Sequence, residues 1–179
     1  IGAELNGGTH MAFEDIGVLR SFPTLVICEA ADGVQLRQAV RQIAAYEGPV
    51  YLRLFRKEFP DVFGPDYKFD LFTADTLRSG TDVTIAATGI MLKEAVDAAA
   101  ILESEGISAE VMNFHTIKPL DETALLRSAA KTGCVVTAEN HNIIGGLRSA
   151  VAECLCEKLP VPLRSVGVED AFGEVGKFG

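Results

Sequence analysis

Three observations predict an α/β protein of two units, each with a parallel or mixed sheet in a three-layer arrangement, the first unit incomplete. Buried-strand and amphipathic-helix patterns alternate through residues 1–55, lapse over residues 56–71, and restart across residues 72–179. Such alternation is what a sheet with helices on its faces requires. The lapse mixes charges and aromatics with two prolines and a glycine, which marks a linker. Ile1-Gly2-Ala3 reads as the tail of a buried strand without its start, and Gly176-Lys177-Phe178-Gly179 stops where a helix would begin, so the chain reads as part of a longer one.

In the first unit the paired glycines of Asn6-Gly7-Gly8-Thr9-His10 lead into an amphipathic helix over 11–20, which Ser21-Phe22-Pro23 breaks. Residues 24–28 form an apolar strand. Asp32 is placed to cap a helix whose apolar stripe is Leu36, Ala39, Val40, Ile43 and Ala44, and Gly48-Pro49 ends it before a strand at 50–54. The linker aromatics Phe59, Phe63, Tyr67 and Phe69 predict that it lies packed along a surface. In the second unit a strand at 83–87 precedes a helix over 91–105 with Leu92, Ala95, Val96, Ala99 and Leu102 on one face and Gly106 at its end. A strand at 109–114 follows, then a helix opened by Pro119 and Asp121 and closed by Gly133, and a strand at 134–138. The loop Glu139-Asn140-His141-Asn142 leads to a helix over 145–159 and a last strand at 163–168.

Composition excludes some function classes. Hydrophobic residues at 48% can bury a core, and a net charge of −9 offers no basic field to displace counterions from nucleic acid. No apolar run has the length to span a bilayer. Cys28, Cys134, Cys154 and Cys156 lack zinc spacing and sit in apolar contexts, so free thiols in a reducing cytoplasm are expected.

Two clusters carry candidate chemistry. His10 follows the glycine pair at a helix start, where a titratable imidazole, free backbone N–H groups and the helix dipole suit a phosphate or a developing negative charge; a plain turn with a surface histidine explains the same residues. Arg53 and Arg56, with Lys57, leave the second strand at its carboxyl end and suit bidentate grip on an anion, unless they pair with local acids such as Glu58 and Asp61. Glu139, His141 and Asn142 read as an acid–base cluster or as a cap on the next helix, and His115 stands at another strand exit. One imidazole and one carboxylate make a poor metal site, so no metal ligand is assigned. Ala87-Thr88-Gly89 lacks the glycines of a dinucleotide fingerprint.

The segment NGGTHMAFEDIGVLRSFP resembles the Asp-Gly-Pro-Thr-His-Gln stretch, its helix and its Arg-Ser-x-Pro exit in the pyrimidine-binding domain of transketolases and their thiamine-dependent relatives. DVTIAATGIMLKEAVDAAAILESEGISAEVMNFHTIKPLDETAL and VVTAENHNIIGGLRSAVAE resemble their carboxyl-terminal domain. The resemblance covers nearly the whole chain and is closest to the short carboxyl-terminal subunits of split transketolases. It implies a partial pyrimidine-binding domain at 1–55, a linker at 56–71 and a transketolase carboxyl-terminal domain at 72–179. It also implies thiamine diphosphate as cofactor, with magnesium held by a partner domain, and transfer of a two-carbon ketol unit between sugar phosphates.

By the same resemblance His10 lies beside the reacting centre and bonds the donor's oxygens, Arg56 holds the sugar phosphate, and Asn6 falls where the family has an aspartate that contacts a donor hydroxyl. Arg53 joins Arg56 as a substrate-binding candidate from its place in the chain. Gly8 replaces the usual proline, and Arg148 stands where a glycine is common. The cofactor-binding residues are expected upstream of Ile1 and on a partner chain, so this chain alone is expected to be inactive. A homodimer or heterotetramer is implied, with the apolar, glycine-bearing run from His141 to Leu155 at the shared surface. The alternatives are a deoxyxylulose-phosphate synthase or two-oxo-acid dehydrogenase β-subunit relative, or a non-catalytic assembly module.

Overall fold

The computed structural model describes residues 10–57 and 59–174. The first stretch gives α1 (Asp15–Leu19), β1 (Val26–Glu29), α2 (Gly33–Ala45) and β2 (Val50–Arg53). After an extended crossing come β3 (Asp75–Arg78), β4 (Val83–Ala87), α3 (Met91–Ser104), β5 (Ala109–Asn113), β6 (Thr116–Lys118), α4 (Glu122–Thr132), β7 (Val135–Asn142), α5 (Leu147–Lys158) and β8 (Leu163–Val168). The strands make two sheets, a three-stranded one ordered β2-β1-β6 and a five-stranded one ordered β3-β5-β4-β7-β8.

The five-stranded sheet is parallel from β5 to β8, with β3 antiparallel at its edge. Side chains on a strand alternate between faces, and the core divides accordingly. Ile85, Ala87 and Val111 meet Leu92, Ala95 and Ala99 of α3. Ala86, Met112 and Val135 face Ala124, Leu125 and Ala129 of α4 and Leu147, Val151 and Cys154 of α5. Asp121 caps α4 by accepting the Ala124 N–H at 2.9 Å, and Gly133 closes that helix at φ 75°, a left-handed position that suits glycine.

The two stretches interlock. β6 comes from the second stretch yet pairs antiparallel with β1, and β1 pairs in parallel with β2. The chain between β2 and β3 is held to α2 by side-chain amides, each acting like a segment of β-ladder. Gln38 donates to the Tyr67 carbonyl and accepts from Phe69 N, and Gln42 donates to the Phe69 carbonyl and accepts from Leu71 N. Asp32 caps α2 through Gln35 N and takes the Val62 and Phe63 N–H groups on its other oxygen, at 2.7 and 2.8 Å. Phe63 stacks on Tyr67 with ring centroids 3.9 Å apart.

Several expectations are corrected. The helix expected over 11–20 is confined to Asp15–Leu19, because the Ala12 and Phe13 carbonyls accept from Arg53 and Asn142 instead of from the next helical turn. Gln35 and Ala39 are the buried residues of α2 and Ile43 packs against the core, whereas Val40 is 48% exposed and Ala44 is exposed, so the apolar stripe is inward only in part, with Gln38 and Gln42 serving the crossing chain. Residues 139–142, expected as a loop, continue β7 beside β8. β3 and β6 escape the sequence pattern, since each is short and half polar. Gly145, at φ 84°, and Gly146 open close approaches within this chain. A Cβ on Gly145 would stand 2.7 Å from the Gly17 Cα, and one on Gly146 would stand 2.6 Å from His141 Nδ1.

Candidate functional site

The carboxyl ends of β1 and β2 bring an acid and a base together. Glu29 ends β1, Arg53 ends β2, and the two are opposite each other in the parallel register. Arg53 is only 2% exposed. Its Nη1 donates to Glu29, its Nε donates to Asp15 Oδ2 at 2.8 Å, and its Nη2 donates to the Ala12 carbonyl at 3.0 Å. The Tyr51 hydroxyl donates to the same Asp15 oxygen at 2.8 Å. A buried guanidinium needs such partners, and the fork geometry lets one side chain satisfy three.

Electrostatics follow from burial and charge. Burial alone would lower the Arg53 pKa, but the facing Glu29 and Asp15 carboxylates outweigh it and hold it above the ordinary arginine value. Burial raises the Glu29 pKa despite Arg53, and it pushes the Tyr51 phenol up to about 12, where Asp15 adds to the shift. Asp15 Oδ1 and Glu29 Oε2 are buried with no hydrogen-bond partner among the described residues.

The sequence-predicted site residues separate into two groups. His10 and Arg56 are exposed. Arg53 is not beside Arg56 as a second exposed anion grip: its described bonds turn inward, to the chain itself. His10 lies two residues from Ala12, which Arg53 holds, and Arg56 lies three residues beyond Arg53, so the Arg53–Ala12 bond ties the two chain segments together at the carboxyl end of β2. A cleft of about 390 Å³ opens there, with Ala31, Asp32, Arg37, Lys57 and Asp61 in its lining. Asn6 lies outside the described residues.

Glu139 and His141 are fully enclosed. Glu139 accepts the Leu147 and Arg148 N–H groups at 2.7 and 2.8 Å, capping α5 from inside the sheet. Burial pushes its pKa up to about 7 against those two bonds. The His141 ring bonds the Asn142 carbonyl through Nδ1 at 2.6 Å, which makes Nδ1 the donor, and Nε2 takes the Gly17 N–H at 3.4 Å. Burial lowers the His141 pKa. His115 is buried between the Thr73 carbonyl and Thr116 Oγ1, both at 3.0 Å. These residues order the junction of the two stretches and do not face the cleft. Sequence reasoning missed Asp15, Glu29 and Tyr51; the one signal for them was Glu29, a carboxylate at the end of a buried strand.

Residues 1–61 match the family described as transketolase, pyrimidine binding domain, and residues 73–178 match transketolase, C-terminal domain. The chain belongs to the transketolase family. It is 57% identical to the 6-deoxy-6-sulfo-D-fructose transketolase subunit SqwH of Clostridium sp. strain MSTE9, over 98% of this chain and 55% of that protein. It is 41% identical to an apulose-4-phosphate transketolase polypeptide of Phocaeicola vulgatus, over 92% of this chain and 53% of the relative. A solved structure described as a split-gene transketolase, inactive beta4 tetramer, superposes with a TM-score of 0.90 at 48% identity, covering 93% of this chain and 56% of that one. The chain thus spans about half the length of these curated transketolase relatives.

The transketolase family depends on thiamine diphosphate, and this chain carries part of the domain that receives the pyrimidine. What the described residues offer such a group is limited. His10 presents an exposed imidazole, whereas the nearby carboxylates Asp15 and Glu29 are turned onto Arg53. Among the described residues no group of three or more His, Cys, Asp or Glu could hold a metal ion, and no helix is long and apolar enough to cross a membrane.

Proposed function

We propose that this chain is part of a transketolase that moves a two-carbon ketol unit between sugars bearing a terminal anion, and that it acts with a second subunit or domain holding the diphosphate and its magnesium. The reading is supported by the match of the chain to both transketolase domains and by the Arg53–Ala12 bond, which ties the segment that His10 opens to the end of β2, three residues before Arg56. Thiamine diphosphate, when bound, supplies the carbanion chemistry. His10 donates a hydrogen bond to the donor's carbonyl oxygen as negative charge develops there. Arg56 grips the terminal anion and sets the sugar's reach, and Asn6 contacts a donor hydroxyl. Arg53 serves the protein's own chain and not the substrate.

The SqwH relative acts on a sulfonated ketose by its name, and a sulfonate presents oxygens to a guanidinium much as a phosphate does, so the terminal anion is a phosphate or a sulfonate. The assembly is a dimer or heterotetramer in the cytoplasm, and this chain is inactive alone. The test is to reconstitute the full-length polypeptide with its partner, thiamine diphosphate and magnesium, and to follow ketol transfer from ketose phosphate and sulfoketose donors. Transfer is expected only when both polypeptides are present. Carbon dioxide release from pyruvate, with no ketol transfer, would move the chain to the synthase or dehydrogenase relatives; no cofactor binding even in the assembled protein would leave it an assembly module.

A further inference from the structure

His10 stands in a 3₁₀ turn and residues 11–14 are not helical, so the approach to α1 is held by bonds from elsewhere in the fold. Residues 10–14 precede α1, which begins only at Asp15 and has no side-chain cap bond at its start. Ties from remote elements reach this segment. Arg53 Nη2, from the end of β2, donates to the Ala12 carbonyl, and Asn142 N, from the end of β7, donates to the Phe13 carbonyl at 2.8 Å. Gly173 lies against Met11 and Phe13, where an added Cβ would stand 2.8 Å from the Phe13 ring.

The tie from Arg53 comes from a side chain, and the surroundings specify its orientation. Asp15 and Glu29 engage Nε and Nη1, which aims Nη2 at Ala12. Asp15 also opens α1, so one guanidinium grips the chain on both sides of the turn between His10 and the helix. Lysine cannot reproduce this: three partners on three nitrogens demand a rigid fork. A site held by a supporting shell of this kind loses rate when the support loosens, although the support touches no substrate.

We propose that Arg53 is the positioning residue of the His10 site, a buried fork that takes its orientation from Glu29 and Asp15 and holds the backbone two residues from the imidazole. The proposal rests on His10 taking part in the reaction, and its test separates the two claims. Arg53→Met, His10→Ala and the double variant are compared in the full-length assembly with its partner and thiamine diphosphate. Arg53→Met is expected to lower kcat about tenfold or more, with KM for the anionic sugar within about threefold, since Arg56 is untouched. In the His10→Ala background the same substitution is expected to cost less than about twofold, because a residue acting through His10 has nothing left to position. Amide exchange at residues 11–14 is expected to accelerate by about tenfold or more while β4 and β5 stay protected.

Full kcat in Arg53→Met, a loss that multiplies with that of His10→Ala, or unchanged exchange at 11–14 would overturn the proposal. Should His10→Ala itself keep full activity, the catalytic reading of His10 fails, and exchange alone decides whether Arg53 holds the segment. If Arg53→Met does not fold, Arg53→Lys decides by the same readouts. It keeps the charge that Glu29 and Asp15 need but lacks the reach to Ala12, so loss of kcat and fast exchange at 11–14 are expected with little change in melting.

Discussion

Gly145 offers a sharp test of how the two stretches are joined. It stands at φ 84°, and a Cβ there would meet the Gly17 Cα at 2.7 Å, so Gly145→Ala adds a strained backbone and a clash between main chains that no rotamer relieves. The left-handed conformation costs a non-glycine residue roughly 1–2 kcal/mol. Overpacking adds about 1–3 kcal/mol. The sum, about 2–5 kcal/mol, is a large share of a typical domain's stability and corresponds to a fall in Tm of roughly 5–15 °C for a chain of this size. Gly106→Ala isolates the backbone cost, since Gly106 has φ 82° with nothing within 4 Å of its would-be Cβ. Thermal melts of the two variants, with sedimentation run in parallel, make the assay. Gly145→Ala should melt well below Gly106→Ala with its oligomeric state unchanged at low temperature. Equal melting temperatures, or dissociation of Gly145→Ala without loss of stability, would refute the intrachain packing argument and return this run to a subunit interface.

Gln38→Ala and Gln42→Ala each remove two hydrogen bonds to the crossing chain, so each should destabilise by about 1–3 kcal/mol and speed proteolytic cleavage within residues 56–71, read by limited digestion. Burial lowers the His115 pKa to about 4 from 6.5, so the neutral ring is favoured in the fold: its stability is present above pH 6.5 and is lost as pH falls towards 4, at about 1.4 kcal/mol per pH unit. Glu139, raised to about 7 from 4.5, works the other way, adding stability below pH 4.5 that is lost as pH rises to 7. The two slopes oppose each other between pH 4.5 and 6.5, so relative to the parent, denaturant melts should show stability falling with rising pH in that window in His115→Gln and rising with pH in Glu139→Gln.

Much of the fold was legible because local chemistry and tertiary demand agreed. Asp32 and Asp121 cap the helices they were placed to cap, Gly133 ends α4, and the last strand runs over the expected 163–168. Failures came where long-range bonds overrode local pattern. Met11 to Glu14 look helical by periodicity, but Arg53 and Asn142 take the Ala12 and Phe13 carbonyls that a helix would have used. Gln38 and Gln42, which carry no signal in the sequence pattern, hold the crossing chain. β6 pairs with β1 across some ninety residues, a contact no sequence window contains. At the candidate site, spacing could place Arg53 near Arg56 but could not say which way the guanidinium turned; Asp15 and Glu29 decide that.

Single-turnover and steady-state kinetics of His10→Ala in the assembled full-length enzyme read whether this chain contributes a catalytic histidine to ketol transfer. A fall in kcat of about 10²–10³ is expected, the loss for removing one hydrogen-bond donor to a developing oxyanion, with thiamine diphosphate affinity and Tm near those of the parent. A His10→Ala enzyme that transfers ketol units at the parent rate would contradict it.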